Sequence, residues 1–429
     1  MKKKILVFPC GSEIGLEIYN SLKWSAHIEL WGGSSVSDHG KFVYKNYIGS
    51  LPFIDDKKFI DKLTLIINKY KIDYIFPAHD SVVLRLAENV KRLGCRVIGS
   101  ELKTCQICRS KKKTYEYFEN KLRVPRMHQH NDASIVFPVF LKPDVGQGAK
   151  GTSIARSKQD IDFYLSKDPT LLILEYLPGE EYTIDCFTDR KGALLFVGSR
   201  ERSRINNGIS VNTKNISDAK FTRIANQINK SINLRGAWFF QVKKNKNSEL
   251  VLMEIAPRIA GSMGLYRNFG VNFSLLSVYD AMGLDVEISP NNYSGEMDRA
   301  LTNRFELNLS FSHVYIDLDD TIIFNEKINP WVVSFLHQCF NKKIRMHLLT
   351  RHKARFGENV EKVLLRYRIH GLFDTITDIP DGKEKSSYIK ERQSIFIDDS
   401  FSERKNVSKK RKIPVFEVSS IESLIDWKY

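Results

Sequence analysis

The sequence predicts a multidomain protein that combines α/β and α+β folds. Three observations support this prediction: a length of 429 residues, short apolar strands separated by helical patterns, and glycine-rich or acidic loops where strands end. A chain of this length rarely keeps a single hydrophobic core, so two or three domains are expected. With 42% hydrophobic and 27% charged residues, the composition is typical of a folded protein rather than a disordered one.

Residues 1–100 show the pattern of an open parallel sheet. An apolar strand at residues 4–10 is followed by a glycine turn at 11–15 and then by an amphipathic helix. Strand, glycine turn and helix in this order begin a nucleotide-type α/β unit, although the full GxGxxG motif is absent. Further strands are predicted at 74–80 and 96–98. The sequence therefore predicts a Rossmann-like first domain.

Residues 101–290 show a different pattern, that of a mixed α+β domain. A helical pattern at 111–121 ends before Pro125, and alternation with turn signals then predicts several strands. These strands are expected at residues 136–142, 171–176, 182–187, 194–197, 237–242 and 250–255. Residues 291–311 are polar and irregular, which predicts a linker. A new apolar strand begins at His313, and strands separated by helical patterns continue through residues 312–429.

The charge excess is +16, from 66 Lys plus Arg and 50 Asp plus Glu, and it first suggests nucleic acid as a partner. The excess is spread along the chain, because residues 312–429 hold 21 basic and 17 acidic residues, a net of +4. Anionic small molecules explain a diffuse excess equally well. We therefore expect small-molecule substrates and rank nucleic acid below them.

The six cysteines are scattered, which favours a reduced compartment over a disulfide framework. Cys105 and Cys108 have metal-ligand spacing, but no second Cys or His pair follows at the distance of a zinc site, so ordinary helix cysteines are favoured. No window approaches the ~18 apolar residues that a membrane span needs. A cytoplasmic protein without membrane contact is expected, and a homo-oligomer is left open.

A glycine-rich loop follows a predicted strand in the second domain. The strand ends at Lys142 and Pro143, and glycines with a second lysine come next in the segment 146–151. Glycines allow the backbone to wrap closely around phosphates, while lysines supply positive charge. A plain hairpin loop is the alternative for this segment taken alone.

An ordered set of residues surrounds this loop. The set comprises Lys111 before the loop, then Glu175, Tyr176, Leu177 and Glu181, and finally Gln241, Glu254 and Arg258. This series resembles the ATP-grasp superfamily, particularly the carbamoyl-phosphate-synthase-like and biotin-carboxylase-like ligases. The resemblance covers roughly residues 1–290, and it implies a Rossmann-like pre-ATP-grasp domain followed by an ATP-grasp domain.

The resemblance implies which residues bind ATP. Lys111 and Lys142 would contact the phosphates, and the loop would close over them. The loop residues concerned are Gly146, Gly148, Lys150 and Gly151. Glu175, Tyr176 and Leu177 would form the adenine hinge, and Glu181 would hold the ribose hydroxyls.

The resemblance also implies a divalent metal site. Glu254 would be the principal Mg²⁺ ligand with Gln241 assisting, and Mn²⁺ is the alternative ion. Arg258 would stabilise the transferring phosphoryl group, because a guanidinium matches its charge in forked geometry. Members of the family usually have Asn two residues after the metal-binding Glu, whereas this chain has Ala256, so one metal ligand is missing.

Three arginines alternate along a predicted extended segment: Arg200, Arg202 and Arg204. Side chains at every second position of a strand point to one face. They would hold a carboxylate or acyl phosphate near the γ-phosphate, and similar ligases have acceptor-side arginines at a matching position. A solvated basic strand is the alternative.

Acidic side chains follow apolar strands in residues 312–429. Asp317 and Asp319 come after the strand that begins at His313. Two carboxylates one residue apart can divide phosphoryl-transfer chemistry, one attacking phosphorus and the other moving a proton. A surface turn is the alternative for this motif alone. Three later elements favour the chemical interpretation: a strand ending at Thr350, a lysine at 383 or 385, and a strand ending at Asp398 and Asp399.

This order resembles the haloacid dehalogenase (HAD) phosphohydrolase superfamily and implies a Rossmannoid fold. Asp317 would be the nucleophile and Asp319 the general acid and base. Thr350 and Lys385 would hold the phosphate, with Lys383 as the competing lysine. Mg²⁺ would bind among Asp317, Asp319, Asp398 and Asp399. The short intervals between these motifs leave no room for a large cap domain, so an open site suited to phosphate on a larger molecule is expected.

The leading hypothesis is a bifunctional enzyme. The first part would use Mg·ATP to join a small carboxylate to an amine, releasing ADP and phosphate, and the second would remove phosphate from a phosphorylated substrate or product. Three alternatives stay open: an ATP-binding regulatory or scaffolding module attached to an active phosphatase, an ATP-dependent kinase or carboxylase, and, ranked last, nucleic-acid end processing.

Overall fold

The computed structural model describes residues 2–146, 148, 150–206, 208–300 and 303–425. Within them the chain forms, in order, a five-stranded, a four-stranded, a seven-stranded and a second five-stranded sheet, with one additional two-stranded hairpin. None of the helices in these residues is long and apolar enough to cross a membrane.

The first domain is an open parallel sheet, as predicted. Its strand order is β3-β2-β1-β4-β5. The strands are β1 (Lys3–Phe8), β2 (Ile28–Gly33), β3 (Asn46–Ile48), β4 (Tyr74–Pro77) and β5 (Arg96–Val97). The helices are α1 (Glu13–Leu22), α2 (Gly40–Val43), α3 (Phe59–Tyr70), α4 (Asp80–Glu88) and α5 (Val90–Leu93). Central β1 is buried on both faces because Ile5 to Phe8 are all apolar. The loops after β1 and β4 meet at one edge of the sheet, where they face the second domain.

The second domain contains two antiparallel sheets. The smaller has the order β6-β9-β7-β8 and the larger the order β14-β13-β10-β11-β12-β15-β16. The smaller comprises β6 (Met127–His128), β7 (Val139–Pro143), β8 (Ser153–Ala155) and β9 (Leu171–Glu175). The larger comprises β10 (Glu181–Thr188), β11 (Leu194–Asn206), β12 (Ile209–Ile216), β13 (Gly236–Lys244), β14 (Leu250–Ala256), β15 (Gly295–Arg299) and β16 (Asn303–Leu307). The helices are α6 (Leu102–Arg109), α7 (Lys111–Phe118), α8 (Lys158–Lys167), α9 (Ala219–Ser231), α10 (Gly264–Arg267) and α11 (Phe273–Ala281).

The segment predicted as a linker, residues 291–311, contains two strands in its described part, so the prediction of an irregular linker is wrong there. Among those that the structure describes, β15 and β16 pair as a hairpin and extend the larger sheet beyond β12. Met297 is buried on one face of β15, whereas Glu296 beside it is exposed. An antiparallel strand with one solvated face carries many polar residues. The same polarity, read from the sequence alone, therefore indicated a linker.

The third domain is a second parallel sheet with the order β21-β20-β17-β22-β23. Its strands are β17 (His313–Ile316), β20 (Arg345–Thr350), β21 (Thr375–Asp378), β22 (Ser394–Ile397) and β23 (Val415–Phe416), with β18 (Ile323–Phe324) and β19 (Lys327–Ile328) forming the additional hairpin. The helices are α12 (Pro330–Asn341), α13 (His352–Phe356), α14 (Val360–Arg366) and α15 (Phe401–Arg411). The carboxyl ends of β17, β20 and β22 meet at one edge of this sheet.

A buried arginine joins the three domains. Arg267, at the end of α10, is 2% exposed, and its Nε donates to Glu17 Oε1 of α1 at 2.8 Å. Its Nη1 donates to the carbonyl oxygen of Ser419 at 2.8 Å, and Glu422 Oε2 lies 3.6 Å from Nη2. Burial disfavours the charge of Arg267, but Glu17 and Glu422 outweigh it and raise the pKa of the guanidinium. The third domain is thus fixed against the first two.

All six cysteines are free thiols, and none of them pairs in a disulfide. Cys105 and Cys108 both lie on or beside the buried side of α6, and burial raises the pKa of each thiol. In the described part of the chain, the one group of three or more side chains arranged for a metal ion is Asp317, Asp398 and Asp399.

Candidate functional site

A cavity of about 230 Å³ lies between the two sheets of the second domain. Phe140 and Lys142 line it from β7 of the smaller sheet, and β10, β13 and β14 line it from the larger. Most of the predicted ATP-binding and metal-binding residues border this cavity: Lys111, Lys142, Gly146, Gly148, Lys150, Glu181, Gln241 and Glu254. The fold therefore brings together residues that lie up to 143 positions apart in the printed sequence.

Lys111 anchors the beginning of the glycine loop. It is the first residue of α7, and the hydroxyl of Ser110 caps this helix by accepting from the backbone N–H of Lys113. Nζ of Lys111 donates to the carbonyl oxygens of Asp144 at 3.2 Å and Gly146 at 3.4 Å. Farther along the loop, Gly148 and Gly151 have φ angles of 64° and 70°, which favour glycine. The loop is thus held over the cavity at its first end.

Lys142 carries a buried positive charge at the end of β7. It is 6% exposed, and burial lowers the pKa of its ammonium group to about 8, although the Glu254 carboxylate acts in the opposite direction. Its Nζ lies 5.5 Å from the centre of the Tyr115 ring. Among the described residues, no carboxylate lies within ion-pair distance of this ammonium. Its charge is therefore available to an anion that enters the cavity.

Gln241 and Glu254 lie directly opposite each other on β13 and β14. The pairing register shifts immediately after Gln241, so a bulge adjoins this pair. One carboxylate and one amide oxygen fit a hard divalent cation that also binds phosphate oxygens. Ala256, two residues farther along β14, offers a methyl group where the family usually has an amide. The chain thus offers two ligands at this position.

The predicted adenine hinge lies at and after the end of β9. Glu175 Oε2 accepts from Arg123 Nη2 at 2.7 Å and from the backbone N–H of Arg126 at 3.2 Å. Tyr176 is half-buried and Leu177 is buried. Because the Glu175 carboxylate has these partners, a hinge role would depend on backbone groups of the segment.

A second cavity of about 410 Å³ adjoins the first. The two cavities share one wall, which includes Lys111, Arg202, Gln241 and Glu254. The far side of the second cavity is built by loops at the edge of the first sheet, among them Ser12, Glu13, His79 and Asp80. No motif in the sequence marks these residues as chemical, although the strand-to-loop boundary at residues 74–80 is a signal for such a site.

Arg258 lines the second cavity in a forked ion pair with Asp80. Its Nε donates to Oδ1 at 2.6 Å and its Nη2 donates to Oδ2 at 2.7 Å. Burial alone would raise the pKa of Asp80, but Arg258 outweighs it and keeps the pKa below its usual value. The guanidinium is held in one orientation at the cavity, and its predicted role at the phosphoryl group stays a prediction.

The three alternating arginines do not act as one set. Arg200 is buried and forms an ion pair with Asp185, from Nε to Oδ2 at 2.7 Å. Arg202 lies 3.0 Å from Glu181 Oε1. Arg204 is 58% exposed and pairs with Asp298, 2.6 Å away. Arg204 does not line either cavity, because the register of β11 shifts between Glu201 and Arg204 and breaks the simple alternation, and its predicted contact with the substrate stays a prediction.

Three buried donors at the second cavity lack a hydrogen-bond partner among the described residues. They are Nη1 of Arg200, Nε of Arg202 and the hydroxyl of Thr183. All three residues line this cavity. Buried polar groups are ordinarily satisfied, so unpaired donors at a cavity wall indicate a place for an acceptor such as a carboxylate.

The third domain has its own cavity of about 290 Å³ at the carboxyl edge of its sheet. Carboxylate oxygens of Asp317, Asp398 and Asp399 lie within 4.8 Å of one another. Lys385 Nζ lies 2.8 Å from Asp317 Oδ1 and 2.6 Å from Asp398 Oδ2. Burial, followed by the charge of Asp398, raises the pKa of Asp317 well above its usual value and that of Asp399 to about 7. Asp317 and Asp398 are buried and Asp399 is exposed at the rim, and three carboxylates so closely spaced fit a divalent cation, which would relieve their repulsion.

Asp319 and Thr350 lie beside this carboxylate group. Thr350 Oγ1 donates to Asp319 Oδ2 at 3.4 Å, and Nδ1 of His352 lies 2.8 Å from Asp319 Oδ1. Of the two candidate lysines, Lys385 reaches the carboxylates, whereas Lys383 is exposed and its carbonyl oxygen accepts from Arg351. His352 is a site residue that the sequence does not predict, because its position two places after Thr350 carries no distinct signal.

Comparisons with known proteins bear on the first two domains. Residues 167–302 match a family model described as ATP-grasp in the biosynthetic pathway with Ter operon. The chain is similar to the biotin carboxylase domain of Hydrogenobacter thermophilus 2-oxoglutarate carboxylase, solved with MgADP, ADP and bicarbonate. The two are 17% identical with a TM-score of 0.58, over 70% of this chain and 74% of that chain.

Two further structures show the same likeness. Staphylococcus aureus N5-carboxyaminoimidazole synthetase complexed with ADP is 16% identical with a TM-score of 0.57, over 70% of this chain and 83% of that one. Bacillus licheniformis L-amino acid ligase is 16% identical with a TM-score of 0.57, over 70% and 79%. At this identity the likeness establishes the fold. The ATP-grasp fold predicted from the sequence is confirmed, and the HAD resemblance of the third domain stays a prediction.

Proposed function

We propose that this chain, with its ATP-grasp fold, is an ATP-dependent ligase that joins a small carboxylate to an amine through an acyl phosphate. The observation that carries the proposal is the common wall of the two cavities. On one side of this wall lies Lys142, which with Lys111 of the wall itself suits ATP phosphates. On the other side lie the unpaired donors of Arg200 and the adjoining residues, which suit a carboxylate. ATP and acceptor would therefore meet at this wall.

The residues of the chain suggest how the reaction would proceed. Magnesium, held by Glu254 and Gln241, would neutralise charge on the phosphates when it is bound. Arg200 and Arg202 would orient a carboxylate oxygen towards the γ-phosphorus. As that P–O bond forms, the bond to the β-phosphate oxygen breaks and ADP leaves. An amine then attacks the acyl carbon, the C–O bond to phosphate breaks, and the proton of the amine passes to the departing phosphate.

A carboxylase or a small-molecule kinase is the second candidate for the same site. Two of the similar structures are named as a carboxylase domain and a carboxyaminoimidazole synthetase, and phosphoryl transfer to another oxygen acceptor would use the same ATP site. These activities differ from the ligase in what ADP release requires. A ligase needs a carboxylate and an amine together, a carboxylase needs bicarbonate, and a kinase needs only the phosphate acceptor.

The decisive experiment is a screen of carboxylate and amine pairs for ADP release with Mg·ATP. Substrate-dependent ADP release is expected to stop in Glu254→Ala, because the principal metal ligand is lost, and to persist in Glu119→Ala, which removes an exposed carboxylate on the same domain. Release that needs only bicarbonate or only one substrate would instead support a carboxylase or kinase. Nucleotide binding without any ADP release would support a regulatory module.

We also propose that residues 312–429 hydrolyse phosphomonoesters. The supporting observation is the group of Asp317 and Asp398, both buried, and Asp399, which is exposed, with Lys385 between Asp317 and Asp398. Asp317 would attack phosphorus, and a divalent ion among the carboxylates would neutralise the phosphate charge. Attachment to a ligase suggests that a phosphorylated carboxylate, amine or amide is the substrate, so that ligation and dephosphorylation are consecutive.

Two matched variants test the second activity. Asp317→Asn is expected to abolish hydrolysis of p-nitrophenyl phosphate in the presence of Mg²⁺ while substrate-dependent ADP release continues. Glu391→Gln also removes one negative charge, but from an exposed residue of the same domain. This variant is expected to retain both activities. Loss of both activities in Asp317→Asn would contradict two independent sites. Salt-sensitive retention of DNA or RNA on a filter would favour nucleic-acid end processing instead.

A further inference from the structure

Asp319 is held from the end of β20 by two side chains. Thr350 Oγ1 donates to Asp319 Oδ2 at 3.4 Å, and the Nδ1 atom of His352 lies 2.8 Å from Asp319 Oδ1. The backbone N–H of His352 donates to Thr350 Oγ1 at 3.1 Å, which ties the two supports together. Both carboxylate oxygens of Asp319 thus have a defined partner.

His352 is itself fixed in place. It is 6% exposed, and its ring packs against Phe356 with centroids 5.0 Å apart. Its Nε2 atom is buried without a hydrogen-bond partner among the described residues, and Glu358 Oε2 lies 3.7 Å away. Glu358 is held in turn by both terminal nitrogens of Arg366, at 2.9 and 3.1 Å. The imidazole therefore lies between two carboxylates and presents Nδ1 to Asp319.

We propose that His352 is a positioning residue for the proposed phosphatase, holding the Asp319 carboxyl group in the orientation that transfers a proton to the leaving group. The inference rests on the proposed function of residues 312–429. A donor at Nδ1 engages Oδ1 of Asp319 and stops the carboxyl group from rotating. Oδ2, whose contact with Thr350 is long at 3.4 Å, would then be the oxygen that transfers the proton.

The need for an oriented Asp319 carboxyl group follows from the two proton transfers of the reaction. In the first, an Asp317 oxygen attacks phosphorus, the ester P–O bond breaks, and Asp319 gives its proton to the departing alkoxide. In the second, water attacks the aspartyl phosphate, the bond from phosphorus to Asp317 breaks, and Asp319 takes the proton from the water. An alkoxide leaves only if it is protonated, whereas a nitrophenolate leaves without help. Support of Asp319 therefore affects alkyl esters most.

The test compares two substrates in three proteins. Proton transfer by a positioned side chain contributes roughly 10²–10⁴-fold. We expect His352→Leu to lose part of this contribution, so that kcat/KM for glycerol phosphate falls on the order of 10-fold to 100-fold. The kcat/KM for p-nitrophenyl phosphate should fall far less. His352→Asn, whose amide can donate near the position of Nδ1, should restore much of the loss. In an Asp319→Ala background, His352→Leu should leave the ratio of the kcat/KM values for the two esters unchanged.

A second measurement does not depend on activity. In metal-free protein labelled with ¹⁵N-histidine, the Nδ1–H resonance of His352 should be visible and slow to exchange, and it should shift or vanish in Asp319→Ala. Equal losses on both esters in His352→Leu, or a resonance unaffected by Asp319→Ala, would overturn the positioning role. A wild-type protein that hydrolyses neither ester would overturn the phosphatase proposal and this inference with it, and the resonance would show whether the contact itself exists.

Discussion

Replacing Arg267 by methionine is expected to destabilise the contact between the three domains. The guanidinium is 1% exposed, and the Glu17 carboxylate paired with it is 3% exposed. Methionine would fill most of the volume but would leave Glu17 as a buried charge without its partner. The carbonyl oxygen of Ser419 would lose its donor, and the Glu422 carboxylate would lose a nearby positive charge. Removing one partner of a buried ion pair costs about 3–5 kcal/mol.

Urea unfolding followed by tryptophan fluorescence measures this cost. Trp24 contacts Phe324 across the boundary between the first and third domains, so its emission reports on separation there. With an m-value of about 3 kcal/mol/M, a loss of 3–5 kcal/mol moves the midpoint down by roughly 1–2 M. Domains that separate before they unfold would give two transitions, of which the earlier one should move.

Arg92→Met is the matched control, because the Arg92–Asp61 pair is exposed on both sides, at 59% and 65%. An exposed pair contributes about 0–1 kcal/mol, so this variant should move the midpoint by less than about 0.4 M. Glu17→Gln combined with Arg267→Met should recover part of the loss, since the unpaired charge is gone. Equal midpoint shifts in Arg267→Met and Arg92→Met would refute the claim that breaking the buried Arg267–Glu17 pair costs more than breaking the exposed Arg92–Asp61 pair.

Three further predictions concern individual charges. Because burial lowers the pKa of Lys142 to about 8, nucleotide binding at about pH 9 should take up part of a proton, seen by calorimetry in two buffers, and Lys142→Met should take up none. Burial and Asp398 raise the pKa of Asp399 to about 7, so this carboxyl group is protonated below that pH. Calorimetric Mn²⁺ affinity of the third domain should fall as the pH falls through about 7, and Asp399→Asn should bind weakly without that dependence. Arg200→Met should lose about 3–5 kcal/mol in urea unfolding because it leaves Asp185 buried and unpaired, whereas Arg204→Met at an exposed pair should lose at most about 1 kcal/mol.

Residues at the ends of apolar strands could be predicted from the sequence. Asp317, Thr350 and Asp398 each follow a short apolar run, and parallel strands in one sheet bring their carboxyl ends to one edge. Glu254 and Gln241 were found in a similar way, from an ordered series of residues typical of a superfamily. Local pattern and order along the chain sufficed in these cases.

Contacts between distant segments could not be predicted. Asp80 and Arg258 are 178 residues apart, and no local pattern links a carboxylate to a guanidinium over that separation. The β11 bulge that directs Arg204 away from the cavity depends on pairing with β12, which the sequence alone did not indicate. Residues 291–311 resemble a linker in sequence, because the polar residues of a strand at a sheet edge look the same as the polar residues of a loop. Each of these features depends on contacts between segments that are distant in the sequence.

The buried cluster around Arg267 also has a consequence for synthesis of the chain. Ser419 is made 152 residues after Arg267, and at ribosomal rates of about 5–20 residues per second this takes roughly 8–30 s. Domains generally fold as units, the N-terminal ones first. During that interval Arg267 can already pair with Glu17, while the surface that will receive Ser419 and Glu422 faces water. The nascent protein therefore exposes Arg267 and its apolar surroundings to water until the segment with Ser419 and Glu422 has been made and has folded.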